Sequence, residues 1–298
     1  MKSNPPSVIC YGEILWDVFP NHKKIGGAPL NVALRLKSFG IATDIISRVG
    51  DDADGKAALA YLKENGLEGH LVQISQVHRT GAVNVILDPT GSASYTIVRP
   101  VAWDKITCTD MAVRAVKEAD AFIFGSLACR GAISKNTLLK LLPNANCKIF
   151  DLNLRPPFYS IDLLLEMMQT SDFIKCNEKE LREVCNAFWF NSPSVRKQMQ
   201  FLAEKCNTNQ ICVTLGKDGA ILLYEGCFYQ NRGYAVKVAD TVGAGDSFLA
   251  ALISRLLQGN KPGAALNFAT AVGALVAGKV GANPRLDPEE IEQMMQNG

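Results

Sequence analysis

None of the nine cysteines in this 298-residue chain stands in a Cys-x-x-Cys pair. An odd number at irregular spacing gives no disulfide framework and suits a reducing compartment. The chain also lacks a dense basic cluster: 31 basic and 29 acidic residues leave a net charge of +2, which offers no footprint for nucleic acid. Low-complexity tracts and fixed-period repeats are absent too, which argues against linkers and solenoids. The opening Met1-Lys2-Ser3-Asn4-Pro5-Pro6 leads into a strand-like run, not into the apolar region of a signal peptide, so a cytoplasmic protein is expected. The longest uncharged stretch, 262–278, approaches membrane-spanning length but contains Asn267, Thr270 and three glycines. It reads as a closely packed buried helix, with no membrane span.

What is present is alternation. Short apolar runs at 8–11, 45–49, 121–124, 148–151, 173–176 and 211–214 are strand candidates. Helical patterns lie near 30–39, 57–65, 111–118, 135–142, 162–170 and 178–188. Buried strands with helical crossovers predict an α/β fold, a mostly parallel sheet covered on both faces. A chain that is 48% hydrophobic can build one such domain over 1–298. Two regions break the rhythm, about 13–25 and 80–100. In the second, runs at 83–87 and 95–98 flank the turn 88–91, a hairpin with no helix after it. These pieces are read as a small β-lid. From 243 onward the pattern is helical only.

The most informative stretch is Asp240-Thr241-Val242-Gly243-Ala244-Gly245-Asp246-Ser247-Phe248. Small residues before a helix let backbone N–H groups converge, and the helix start adds partial positive charge, so an anion site results. A carboxylate placed in that site repels phosphate; it suits a base that takes a proton from an attacking alcohol. The plainer reading is a tight turn with Asp in the first helical turn. Phe248 occupies the third glycine position of a dinucleotide fingerprint, which counts against a nicotinamide enzyme. A near-match to a P-loop at 50–57 has Ala57 where magnesium needs a hydroxyl, and Asp51, Asp52 and Asp54 would repel phosphate. It reads as an acidic turn before a helix.

With Gly26-Gly27-Ala28-Pro29-Leu30-Asn31-Val32-Ala33 added to this stretch, the whole chain resembles the ribokinase-like (PfkB) carbohydrate kinases. The resemblance implies a three-layer fold with a β-lid, and phosphoryl transfer from ATP to a sugar hydroxyl. It implies Asp246 as catalytic base and the amides of Gly243, Ala244, Gly245 and Asp246 as an anion hole. Asn177-Glu178-Lys179-Glu180 matches the family's Asn-x-x-Glu motif, so Asn177 and Glu180 would organise Mg2+ through water. Without that match Glu180 would read as one more exposed helix carboxylate. Thr214, Gly216 and Gly219 match the loop beside the nucleotide phosphates, and also suit a hairpin turn.

On the sugar side the resemblance implies Asp17, Gly26, Gly27 and Asn31. A carboxylate accepts from two adjacent hydroxyls, the pattern a sugar presents; the alternative for Asp17 is a lid-surface charge. Arg155, after a buried strand, could reach a phosphate or form a surface salt bridge. Trp16 and Trp103 read as packing residues. The Gly-Gly-Ala-Pro-Leu-Asn-Val-Ala motif, Gly12-Glu13, the Asp151–Pro157 stretch and Ala102-Trp103-Asp104 all lean toward fructokinases, with ribose or 2-keto-3-deoxygluconate kinases as alternatives. A sugar-binding regulator without catalysis is a further class, against which the presence of Asp246 and Glu180 counts. A homodimer joined through the lid is expected.

One departure concerns potassium. Many family members hold a monovalent cation with the segment at Asp240 and Val242 and a loop reading Gly-Ala-x-Pro-Ser. Here the loop is Gly281-Ala282-Asn283-Pro284-Arg285. A guanidinium has no acceptor. If Arg285 points inward it replaces the ion, and reduced potassium dependence is the favoured expectation; if outward, backbone carbonyls can retain the ion.

Overall fold

The computed structural model describes residues 5–87 and 93–297. The chain opens with β1 (Ser7–Tyr11), β2 (Leu15–Val18) and β3 (Lys23–Gly26), followed by α1 (Ala28–Ser38). Next come β4 (Ala42–Gly50), α2 (Ala53–Glu64), β5 (Val72–Ser75), the paired strands β6 (Gly81–Leu87) and β7 (Ala93–Ile97), and α3 (Asp110–Glu118). The middle alternates β8 (Ala121–Gly125), α4 (Ala132–Leu141), β9 (Lys148–Asp151), α5 (Ile161–Gln169) and β10 (Phe173–Asn177). Then follow α6 (Glu178–Ala187), α7 (Val195–Cys206), β11 (Gln210–Thr214), β12 (Ala220–Tyr224) and β13 (Cys227–Asn231). The chain closes with α8 (Ala244–Leu257), α9 (Pro262–Ala277) and α10 (Pro288–Gln296).

Nine strands form the main sheet in the order β13-β12-β11-β10-β9-β8-β1-β4-β5. Its ladders are parallel except those of β12 and β13. Side chains alternate across a strand, so each inner strand feeds two cores. Val8 and Cys10 of β1 join the core under α1, α8 and α9, while Ile9 and Tyr11 join the one under α3 to α7. All six expected strands are present, as is the three-layer α/β arrangement. Among the described residues no helix is long and apolar enough to cross a membrane. The 262–278 stretch is largely α9, with Ala265, Leu266, Ala269 and Val272 buried.

A second sheet of four strands, in the order β3-β2-β6-β7, forms the expected lid. The turn read at 88–91 lies outside the described residues. The acidic stretch at 50–57 is structural, as its composition implied, although its helix begins earlier, at Ala53. Asp52 caps α2 by accepting the Gly55 N–H at 2.7 Å, and it also accepts the Thr80 N–H and hydroxyl. Trp16 donates from Nε1 to the Asp54 carbonyl, and Trp103 is fully buried beneath the Arg130 guanidinium; both are packing residues.

Candidate active site

The order of strands places β1 beside both β8 and β4, and the chain leaves β1 toward either side. The crevice at such a switch point, outside the carboxyl ends of the strands, is where open α/β sheets bind ligands. Here Glu13, Ala28, Pro29, Gly125, Asp151 and Asn153 line it.

Asp246 reaches the crevice from the first turn of α8. Gly243 caps this helix with φ +75°, and a Cβ there would lie 2.4 Å from the Ala282 carbonyl oxygen, so only glycine fits the turn. A relay of amides holds the carboxylate. Asn283 Nδ2 donates to Asn31 Oδ1 at 2.9 Å, and Asn31 Nδ2 donates to Asp246 Oδ2 at 2.8 Å. Arg35 ties the same elements together, donating to Ser247 Oγ at 3.1 Å and to the Pro284 carbonyl at 2.8 Å. The Ala244 N–H donates to the Thr241 carbonyl at 3.3 Å and so belongs to the turn. Burial raises the carboxyl of Asp246 above the usual range, opposed by the charge of Lys175, the Asn31 hydrogen bond and Arg155.

Gly26 and Gly27 lead from the lid into α1. A Cβ on Gly27 would lie 2.3 Å from the Glu13 carbonyl oxygen, and one on Gly26 would lie 3.0 Å from Asp17 Oδ2. Asp17 is therefore packed against the glycine turn. Its carboxyl is raised by burial and lowered by Arg155 and Lys24. Arg155 is exposed, yet its charge is felt by Glu13, Asp17, Asp151 and Asp246, so it stands among them.

Asn177 and Glu180 form a reciprocal cap on α6. Asn177 Oδ1 accepts the Glu180 N–H and Glu180 Oε2 accepts the Asn177 N–H, both at 2.9 Å. Glu180 Oε1 accepts the Leu154 N–H at 2.9 Å, so the buried carboxylate also pins the segment bearing Arg155. Burial raises its carboxyl, while Lys175 lowers it. Thr214 pairs in register with Asn177 across β11 and β10. Gly216 and Gly219 form the turn after Thr214, closed by the Leu215 N–H donating to the Gly219 carbonyl at 2.8 Å. The hairpin-turn reading of this loop holds, because β11 and β12 pair antiparallel on either side of it.

Asp240 accepts the Val242 N–H at 3.0 Å and the Gly281 N–H at 3.2 Å, which joins the two segments expected at a cation. Arg285 corrects the favoured expectation. Its side chain is 93% exposed and faces Asp287 at 3.7 Å, so the guanidinium does not take the ion's place. The backbone there is held by Arg35, which donates to the Pro284 carbonyl, and by Lys279, which donates to the Arg285 carbonyl at the surface.

Three groups at the site were not read from the sequence: Lys175, Asp151 as an ion-pair partner, and Glu13 as a buried acid. Lys175 Nζ lies 3.0 and 3.1 Å from the two oxygens of Asp151, both side chains buried. Glu13 Oε2 has no hydrogen-bond partner, and burial pushes its carboxyl up to about 7. A lysine inside a strand covered on both faces was the available signal, because such a charge needs a partner.

A family model described as pfkB family carbohydrate kinase matches residues 4–289. The chain belongs to this family. Its relatives match it over nearly its whole length. Fructokinase-1 of Oryza sativa subsp. japonica is 29% identical over 330 residues, covering 98% of each chain. The crystal structure of an uncharacterized sugar kinase from Pyrococcus horikoshii in complex with ATP superposes with a TM-score of 0.79 at 26% identity, covering 96% of this kinase and 99% of that one. A double-mutant fructokinase from Vibrio cholerae O395, solved with fructose, ADP and a potassium ion, has the same fold: TM-score 0.84, 24% identity, 99% and 100% covered.

Proposed function

We propose that this ATP-dependent sugar kinase is a fructokinase. The kinase activity follows from the family; the choice of fructose is supported by full-length similarity to the rice fructokinase. The observation that carries the mechanism is Asp246 held at the start of α8 by Asn31, with the charge of Arg155 acting on both Asp246 and Asp17. The sugar sits against the surface that Asp17 and the Gly26–Gly27 turn form together, with its acceptor hydroxyl at Asp246. The hydroxyl oxygen bonds to the γ-phosphorus, its proton passes to the Asp246 carboxylate, and the bond from γ-phosphorus to the bridging oxygen breaks to release ADP. Backbone N–H groups at the start of α8 stabilise the charge on the transferring group. Thr214, Gly216 and Gly219 border the nucleotide phosphates.

Asn177 and Glu180 fit an outer-sphere role toward magnesium. Both are fixed by main-chain hydrogen bonds, and a carboxylate oxygen keeps a second lone pair for a metal-bound water. When bound, the ion neutralises phosphate charge. Asp240 and Val242 with the Gly281 loop fit a potassium site built on carbonyls.

The test is a panel of acceptors, fructose, ribose and 2-keto-3-deoxygluconate, with ATP and magnesium, followed by ADP release. Fructose is expected to give the highest kcat/KM. A higher value for either other sugar replaces fructose in this assignment.

A further inference from the structure

We infer that Lys175 is an electrostatic positioning residue of the phosphoryl-transfer site: a buried ammonium, fixed by Asp151 beneath the first turn of α8, that counters negative charge entering above it. This rests on the kinase reading of Asp246 given above.

Three observations carry it. Lys175, midway along β10, is in register with Asp151 at the carboxyl end of β9. Both are buried, at 6% and 5% exposure, and such a pair is commonly replaceable by apolar residues without loss of stability. Stability alone therefore gives little reason for it. Second, the ammonium lies at the wrong end of a helix. A Cβ built on Gly245 would lie 3.4 Å from Lys175 Nζ, so the charge is under the α8 N-terminus, whose partial positive charge repels it. Two like charges brought together in a buried place are costly; Asp151, Glu180 and Asp246 offset that cost and keep the ammonium charged, and a further anion above the turn would be attracted by both positive groups. Third, residue 245 has no side chain, so only backbone separates the ammonium from the turn. Two of its three N–H groups suffice for Asp151.

The charged and polar groups facing Asp246 are Lys175 from β10, Asp151 from β9, Arg155 from the following loop, Glu13 after β1 and the Asn31 amide from α1. Lys175 is the largest of the influences that keep the Asp246 carboxyl from rising further. Lys175 itself neither takes nor gives a proton in the reaction.

Two variants test this in opposite directions. Lys175→Met combined with Asp151→Leu removes the pair and leaves no buried charge unpaired. It is expected to keep wild-type thermal stability and to bind ADP and sugar, by calorimetry, within about threefold, while kcat falls by about a hundredfold. The acidic limb of kcat/KM against pH should move upward, because Asp246 then keeps its proton to higher pH. Asp151→Asn, isosteric, removes only the counter-charge and should move that limb downward. Loosening of the fold does not produce opposite displacements. Limbs unmoved in Asp151→Asn, or a folded double variant with kcat within about threefold of wild type, would overturn the proposal. Wild-type turnover on the acceptor panel checks the kinase reading separately, and the variants are measured with whichever sugar that enzyme uses best.

Discussion

Asp246 is set by an amide relay and by buried charge together, and the two can be separated by substitution. Asp246→Asn keeps the shape and the contact to Asn31 but removes the proton acceptor. Turnover should fall by about 10²–10⁴-fold with sugar and ATP affinities near wild type, measured by steady-state rates and calorimetry. Asp17→Ala should act on the other side of the ledger of binding and chemistry. It should weaken sugar binding by about 1.5–3 kcal/mol per lost charged hydrogen bond and leave ATP affinity unchanged. Unchanged sugar binding would return Asp17 to a surface charge of the lid. Glu13 gives a prediction about stability. Its carboxyl stands near 4.5 when unfolded and is raised to about 7 in the fold. Between those values the folded chain binds more protons, so its stability falls as pH rises through the window and then levels. Glu13→Gln should flatten this slope and stabilise the ligand-free enzyme above neutral pH by about 1–3 kcal/mol, read from urea unfolding at several pH values. At this scale the sequence was partly legible. Asp246 and Asn31 stand in motifs, whereas Lys175 is one residue in the apolar run Phe173–Asn177. Its meaning depends on the register of β10 against β9, which no local pattern encodes.

Among elements, α6 shows one carboxylate serving as both helix cap and tether. Glu180→Gln keeps an oxygen for the Leu154 or Asn177 N–H but removes the charge. The magnesium concentration for half-maximal rate should rise severalfold, and thermal stability should fall, because the amide nitrogen then faces one of the two N–H donors; an unaltered magnesium titration would remove Glu180 from the metal's surroundings. The strands and helices that were read in advance are those bounded by turn residues and long enough to show a period. β5 is only Val72–Ser75, and Gln73 interrupts its apolar run. The edge strand β13, Cys227–Asn231, has no fully buried residue and ends in Gln230-Asn231, so its apolar pattern is too short to read as a strand. Helix α7 was also not anticipated, although Met199 and Leu202 lie buried at helical spacing. The lid was legible because β6 alternates and β2 pairs with it in parallel, but its twist over the glycine turn was not.

For the whole molecule, two predictions concern what surrounds one chain. The lid is a four-stranded sheet with Tyr95 63% exposed, and a sheet this small leaves apolar surface for a second copy. Light scattering at micromolar concentration should give a dimer, and a monomer would contradict this. With Arg285 turned outward, rates at fixed ionic strength should rise severalfold in potassium over tetramethylammonium; equal rates would mean that the loop at Gly281 holds no ion. The relay at the base has a consequence for biosynthesis. Asn31 and Asp246 are 215 residues apart, and Asn31 and Asn283 are 252 apart. A growing chain can pair β1 with β4 early, but it has no ordered base until residue 283 has left the ribosome.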